Sequence, residues 1–282
     1  MSIENSLIAV NSMVYEDRDP ELVFESIKRC GIDWVELAYT HGYVKFDEKK
    51  AFSDSEAKRI VSCMKNAGLN TRAVSAHMDI GSKEAIGPFM SRLHFANQIG
   101  AKIVITNATN REKISSFLEN VVFLSEQASM MNLVIALENP GDGIGSIISS
   151  GTVGAQLIAK LNLPNVLLNY DCCNAFSYNK TAIDIEADTR KAIKYSAHLH
   201  LKDMERTSDG WAFCAIGEGR IDYNGFIGAY AENEKPVPMS LELPIQMNRC
   251  SDYSMCRGKH IPSLADIEKT IIKSREFILS HF

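Results

Sequence analysis

The sequence lacks the features of membrane and secreted proteins. No stretch approaches the roughly 18 consecutive apolar residues that a membrane-spanning helix requires. The first residues, MSIENSLIAVNSMVYED, have neither the basic start nor the long apolar run of a signal peptide. We therefore expect a cytoplasmic protein that has no membrane partner.

An excess of basic residues is also missing. Asp and Glu number 35 against 30 Lys and Arg, which gives a formal net charge of −5. Nucleic-acid binding depends largely on Lys and Arg contacts with phosphates, and no basic stripe is visible. The composition therefore predicts that the protein binds no nucleic acid.

The cysteines fit neither a disulfide framework nor a zinc finger. They number seven, Cys172 and Cys173 are adjacent, and no C-x-x-C occurs. An odd number without paired spacing is typical of reduced thiols in a cytosolic protein. We therefore expect free thiols, and we interpret Cys172 and Cys173 as small packing residues.

Short apolar runs alternate with helical patterns along the chain. Strands are predicted at 7–10, 34–38, 71–77, 102–106, 133–138, 165–171, 198–202 and 239–243, and helices at 21–31, 54–69, up to about 99, 112–131, 152–161, 183–194, 223–231 and 263–280. This alternation is typical of parallel βαβ units. Eight units in 282 residues predict an α/β protein with a single (β/α)8 barrel domain over residues 1–282. The alternative is an open doubly wound sheet, which the absence of glycine-rich phosphate loops disfavours.

Polar side chains stand at or near the C-terminal ends of seven predicted strands. They are Glu36, His77, Asn107, Glu138, Asp171, His200 and Glu242. In a barrel this end carries the active site. Carboxylates buried together resist ionisation unless a cation accompanies them, so the set as a whole favours a metal site. Glu138, Asp171, His200 and Glu242 form an oxygen-rich group that suits one Mn²⁺ or Mg²⁺, with Zn²⁺ or Co²⁺ as further candidates.

The segment HLHLKD (198–203) raises a question about its polar face. Strand alternation places His198, His200 and Lys202 on one side, so the strand is either half-exposed or lines a site. Lys202 would then hold an oxyanion or acidic group of a substrate, or pair with a barrel carboxylate.

The stretch 245–262, after the eighth strand, has an irregular pattern and contains Arg249, Arg257 and Lys259. A solvated loop is the simpler interpretation. An arginine fork also matches carboxylate or phosphate, and Arg257 is our candidate for such a clamp.

Seven segments occur in the order that is characteristic of one protein family: GIDWVELAY, VSAHMDI, IALENPGDG, LNYDCCNAF, HLHLKDM, AIGEGRIDY and LELP. In these segments the chain resembles the xylose isomerase-like TIM barrel superfamily of sugar (phosphate) isomerases and epimerases, which includes the class II apurinic endonucleases. The resemblance implies that Glu138, Asp171, His200 and Glu242 bind one divalent metal. It also implies that Glu138 and Glu242 transfer protons, that Glu218 of the GEG turn points toward the site, and that the protein is a homo-oligomer (dimer or tetramer).

The chain departs from the family pattern at two places. Pro140 and Asn174 replace histidines that touch substrate in many relatives. Asn107 and Asn174 also stand where the endonucleases have metal-binding histidines, which argues against DNA repair.

We therefore expect a metal-dependent isomerase or epimerase of a small sugar, sugar phosphate or sugar acid that acts through an enediolate. The alternatives are a lyase, which would dehydrate or decarboxylate a sugar-derived keto acid, and a sugar-binding barrel without activity. The expected substrate-binding residues are His77, Asn107, Asn174, Lys202 and Arg257.

Overall fold

A computed structural model describes residues 4–141, 145–259 and 261–281. Its strands are β1 (Ile8–Asn11), β2 (Trp34–Tyr39), β3 (Asn70–Asp79), β4 (Ile103–Asn107), β5 (Val134–Glu138), β6 (Val166–Asp171), β7 (Ser196–Leu201), β8 (Asp203–Thr207), β9 (Gly210–Cys214), β10 (Met239–Leu241), β11 (Met247–Cys250) and β12 (Met255–Arg257). Eight of them form a closed barrel in the order β1-β10-β7-β6-β5-β4-β3-β2. All the neighbouring barrel strands are parallel. The predicted barrel is confirmed.

Helices connect the barrel strands. They are α1 (Pro20–Arg29), α2 (Glu48–Ala51), α3 (Asp54–Ala67), α4 (Ile86–Gln98), α5 (Ile114–Met130), α6 (Gly151–Leu161), α7 (Cys172–Tyr178), α8 (Ile185–Ala192), α9 (Tyr223–Ala231) and α10 (Leu264–His281). Short 3-10 turns occupy Asn5–Leu7, Ser12–Tyr15, Arg111–Lys113 and Ile193–Tyr195. Asp19 and Ser53 cap α1 and α3, because their side chains accept the free N–H groups of the first turn. No helix in the described residues has the length and apolar character needed to cross a membrane.

The hydrophobic core has two parts. The larger part lies between the barrel strands and the surrounding helices and includes Phe24, Phe89 and Phe117. A smaller cluster of Ala73, Ile103, Ile105 and Ala136 is separate from it. Strands covered on both faces explain why the predicted strands read as nearly continuous apolar runs.

A second, antiparallel sheet follows the barrel strand β7. Its order is β12-β11-β9-β8, so it joins segments from before and after β10. The prediction of an irregular insertion at 245–262 was wrong for 247–250 and 255–257, which form β11 and β12. Strands of four and three residues are too short for their alternation to stand out in the sequence.

Candidate metal centre

Four ligand-type side chains meet at the C-terminal ends of four barrel strands. Glu138 and Asp171 end β5 and β6, His200 lies in β7, and Glu242 directly follows β10. The register pairs Asp171 with His200, which brings their side chains to one level of the barrel. One ligand atom from each of the four residues lies within 4.8 Å of the others, and all four are buried. The structure thus brings together the complete predicted ligand set.

His200 lies between carboxylates on both sides of its ring. Its Nδ1 is 2.9 Å from Glu138 Oε1 and 3.4 Å from Glu242 Oε2, and its Nε2 is 2.8 Å from Glu36 Oε1. Burial alone would lower the pKa of His200, but these carboxylates raise it well above its usual value. Metal-binding histidines commonly donate their second N–H to a carboxylate. Glu36, which also accepts a hydrogen bond from Ser75 (2.5 Å), is placed to orient His200 in this way.

Lys202 supplies the second positive charge at the site. Its buried ammonium lies 2.8 Å from Asp171 Oδ2 and is also paired with Glu242. Burial raises the pKa of Asp171 to about 7, although Lys202 acts in the opposite direction. Burial would raise the pKa of Glu242 too, but His200 and Lys202 together hold it well below its usual value. Of the two roles expected for Lys202, pairing with a barrel carboxylate is the one that the structure shows.

Three of the predicted substrate-binding residues surround Glu138. His77 Nε2 lies 3.2 Å from Glu138 Oε2, and His77 Nδ1 lies 2.7 Å from Asn107 Oδ1. Asn174 Nδ2 donates to Glu138 Oε1 at 3.2 Å, and the Asn174 backbone N–H donates to Asp171 Oδ1 at 2.8 Å. The last bond caps α7, so the helix that follows β6 helps to fix a ligand carboxylate.

The polar face of residues 198–202 points into the barrel, and the strand is not half-exposed. His198 is fully buried, with Nδ1 2.8 Å from Asn169 Oδ1 and Nε2 3.1 Å from Ser240 Oγ. Burial lowers the pKa of His198 to about 3, so its imidazole is neutral. His198 is therefore a hydrogen-bonded structural residue beneath the candidate metal centre.

Asp203, the last residue of the motif H-x-K-D, holds the G-E-G turn through hydrogen bonds, and this contact connects the two motifs. Its Oδ2 accepts the backbone N–H groups of Gly217 and Gly219, each at 3.0 Å. A Cβ atom at Gly219 would lie 2.1 Å from Asp203 Oδ1, so no larger residue fits there. The expectation that Glu218 points toward the site was wrong: this turn directs it outward, where it pairs with Lys273 at 2.5 Å.

Sequence comparison supports the resemblance inferred from the motifs. The sequence model of a family described as xylose isomerase-like TIM barrel matches residues 24–262. The chain belongs to this family. No curated protein has a sequence that matches it significantly.

Solved structures of several other proteins have the same fold. D-psicose 3-epimerase from Clostridium cellulolyticum H10, crystallised with D-tagatose, is 14% identical with a TM-score of 0.75, over 100% of this chain and 99% of its own. The IolI protein with a bound zinc atom is 18% identical with a TM-score of 0.74, over 100% and 99%. A xylose isomerase-like TIM barrel protein from Mycobacterium smegmatis in complex with magnesium is 17% identical with a TM-score of 0.72, over 97% and 95%. Identities this low establish the fold and no more.

In this xylose isomerase-like barrel, a cavity of about 1350 Å³ opens above the candidate metal centre. Its wall includes Glu138, Glu242, Lys202, His77, Asn107, Asn174 and Arg249. Arg257 is not part of this wall: its side chain is 53% exposed and pairs with Glu16 at 2.5 Å. The sequence analysis favoured Arg257, but of these two arginines Arg249 is the one that lines the cavity. Alternate burial along β11 turns Met247 and Arg249 inward, but a strand of four residues is too short for this alternation to be recognised in the sequence.

The cysteines follow the expectation except at one pair. Cys30, Cys63, Cys172, Cys173 and Cys214 are free, and Cys172 and Cys173 are buried in the core as expected. Cys250 and Cys256, however, form a disulfide across β11 and β12, with Cα atoms 6.4 Å apart. The prediction of reduced thiols throughout was therefore wrong. The hairpin that brings these two residues together was not visible in the sequence.

Proposed function

We propose that this protein is a divalent-metal-dependent isomerase or epimerase of a small sugar, sugar phosphate or sugar acid. The observation that carries the proposal is the buried cluster of Glu138, Asp171, His200 and Glu242, with ligand atoms within 4.8 Å beside an open cavity. Its donors suit Mn²⁺ or Mg²⁺, with Zn²⁺ or Co²⁺ as further candidates. Zinc in the IolI structure and magnesium in the Mycobacterium smegmatis structure are in keeping with such a site.

The charges at the site fit a divalent cation. Four carboxylates, Glu36, Glu138, Asp171 and Glu242, carry four negative charges when ionised, and protonated His200 and Lys202 supply two positive ones. A divalent cation that takes the place of the His200 proton would reduce this excess of negative charge, while Glu36 would keep the ring oriented through Nε2. A bound divalent ion would polarise a sugar carbonyl and the neighbouring hydroxyl, and so acidify the C–H between them.

In this proposal Glu138 and Glu242 transfer the proton. They come from β5 and the end of β10, which β6 and β7 separate in the barrel. Their carboxylates lie 2.9 Å and 3.4 Å from His200 Nδ1 and face the cavity. Two carboxylates on different sides of a substrate would remove a proton from one face and return it to the other, which epimerises the carbon. One carboxylate that moves the proton between adjacent carbons would instead interconvert an aldose and a ketose.

The residues around Glu138 would contact the substrate in this reaction. His77 and Asn174 both contact the Glu138 carboxylate and line the cavity. Asn107 lines it too and holds His77 through a 2.7 Å contact. In this proposal they bind sugar hydroxyls and keep Glu138 directed at the reacting carbon.

Incubation of Mn²⁺-loaded protein with a panel of sugars, sugar acids and sugar phosphates in D₂O tests the proposal. We expect deuterium at one carbon of a substrate, with its composition otherwise retained. Loss of water or CO₂ would instead indicate the lyase, which we do not favour. Fully metal-loaded protein that exchanges no deuterium into any member of the panel would contradict the proposal.

A further inference from the structure

Arg249 is a buried arginine in the cavity wall that pairs with no carboxylate of the described residues. The residue is 4% exposed, and within residues 4–141, 145–259 and 261–281 no acidic oxygen pairs with its guanidinium. Its Nη1 donates to the Tyr253 carbonyl at 3.0 Å, and its Nη2 lies 3.5 Å from Asn174 Oδ1. Its Nε is buried and has no hydrogen-bond partner among the residues that the structure describes. These residues therefore satisfy the guanidinium charge incompletely.

The other buried cations of the cavity wall are paired. Lys202 contacts two carboxylates, and Arg92 lies 2.8 Å from Glu48 Oε1. A buried charge is costly unless an opposite charge or several hydrogen bonds accompany it. Arg249 differs from Lys202 and Arg92 in this respect, and an anionic ligand in the cavity would supply what it lacks.

The fold fixes the position of Arg249. Its strand β11 lies between β9 and β12, where Arg249 is registered against Trp211 and Met255. The next residue, Cys250, is tied to β12 by the disulfide. Gly141 leaves room for the guanidinium, because a Cβ there would lie 2.2 Å from Nη2. An arginine held by backbone pairing on both sides is preorganised for a ligand.

Arg249 also lies close to the proposed chemistry. Asn174 connects the two, with its Oδ1 3.5 Å from Arg249 Nη2 and its Nδ2 3.2 Å from Glu138 Oε1. A molecule of a few carbons therefore spans the distance from Glu138 to the guanidinium. The planar fork of arginine matches the oxygens of a carboxylate or phosphate.

We propose that Arg249 binds an acidic group of the substrate, so that the substrate is a sugar acid or a sugar phosphate and not a neutral sugar. This inference rests on the proposed isomerase or epimerase function for its reaction. The binding of an anion by Arg249 is inferred from the cavity residues alone and can be measured without turnover.

Calorimetry with inorganic phosphate and with D-glycerate, with and without Mn²⁺, tests the binding. We expect at least one anion to bind the unmodified protein, and Arg249→Met to weaken it about tenfold or more, as for loss of a charged hydrogen-bonding partner. Arg249→Lys keeps the charge but not the fork, so its affinity should lie in between. Phosphate and glycerate distinguish the two acidic groups. Equal affinity in all three proteins, or weakening by Arg257→Met instead, would overturn the assignment.

Turnover provides the second arm. With D-ribulose, D-ribulose 5-phosphate and D-galacturonate in D₂O, we expect exchange into an acidic sugar in preference to the neutral one. Arg249→Lys should raise KM for that acidic sugar more than it lowers kcat, because the acidic group is remote from the reacting carbon. Equal kcat/KM for neutral and acidic sugars in the unmodified protein would refute the inference but leave the proposed function intact. Anion binding through Arg249 without deuterium exchange into any sugar would support the binding role of Arg249 but refute the proposed function.

Discussion

Lys202→Met tests the charge arrangement of the candidate metal centre. The substitution keeps most of the apolar length of the side chain but removes the ammonium that lies 2.8 Å from Asp171 and also pairs with Glu242. Both carboxylates are buried, so they would lose their partner without gaining water. Removal of one member of a buried ion pair costs about 3–5 kcal/mol.

The expected result depends on pH and on metal. At pH 8 Asp171, whose pKa burial raises to about 7, is mostly ionised in the unmodified protein; loss of Lys202, which lowers this pKa, raises it further, so that protonation of Asp171 in the variant limits the cost. At roughly 2 °C per kcal/mol for a protein of this size, the metal-free variant should melt below the unmodified protein by up to roughly 6–10 °C, with the larger difference at higher pH. A divalent cation replaces the missing positive charge, so the difference should shrink in the presence of Mn²⁺.

Thermal unfolding followed by circular dichroism, in EDTA and in Mn²⁺, measures both effects. Lys273→Met is the matched control, because Lys273 pairs with Glu218 at 2.5 Å on the surface, where both side chains are about half exposed. Exposed pairs contribute about 0–1 kcal/mol, so this control should melt close to the unmodified protein. If both variants melt alike in EDTA, the inferred role of Lys202 is wrong. A difference that Mn²⁺ leaves unchanged would mean that no metal binds beside Lys202.

Three further predictions concern the same site. Asp171→Ala should abolish the binding of about one divalent ion per chain, measured by elemental analysis after dialysis; full occupancy would remove Asp171 from the ligand set. Glu138→Gln should lower the rate of deuterium exchange by roughly 10²–10⁴-fold, with metal content determined in the same sample; a metal-loaded variant of normal activity would exclude Glu138 from the chemistry. Because folding raises the pKa of Asp171 from 3.8 to about 7, this residue binds more protons in the folded metal-free protein than in the unfolded chain between these values, whereas His198, whose pKa burial lowers to about 3, binds fewer. The free energy of unfolding relative to that of Asp171→Asn should therefore fall as pH rises through this interval, whereas metal affinity should rise; urea titrations of both proteins at several pH values in EDTA would contradict this if the difference rose instead.

The sequence predicted the barrel because the evidence for it is local. Each strand is a short apolar run and each helix has its own periodicity, so eight units can be recognised without knowledge of their contacts. The ligand positions follow from the same pattern, since Glu138 and Asp171 end their strands and all strands of a parallel barrel end at the same face.

Contacts across the barrel could not be predicted in the same way. Glu36 lies in β2 and His200 in β7, and these strands are not neighbours in the sheet. Their 2.8 Å contact therefore depends on closure of the barrel. The inward direction of Arg249 and the Cys250–Cys256 bond likewise depend on pairing between strands too short to recognise in sequence.

The antiparallel sheet has a consequence for the order in which the protein can fold. Strands β8 and β9 are synthesised before β10, and their partners β11 and β12 after it. Barrel closure has the same requirement, because β1 at residues 8–11 pairs with β10 at 239–241. Loops this long close slowly, and until they do β1 and β7 each have an unpaired edge that can pair with other chains. During synthesis from the N-terminus, Glu242 and Arg249 are therefore added after nearly all of the remaining barrel has emerged, and a chain that stops before residue 239 has neither a closed barrel nor a complete site.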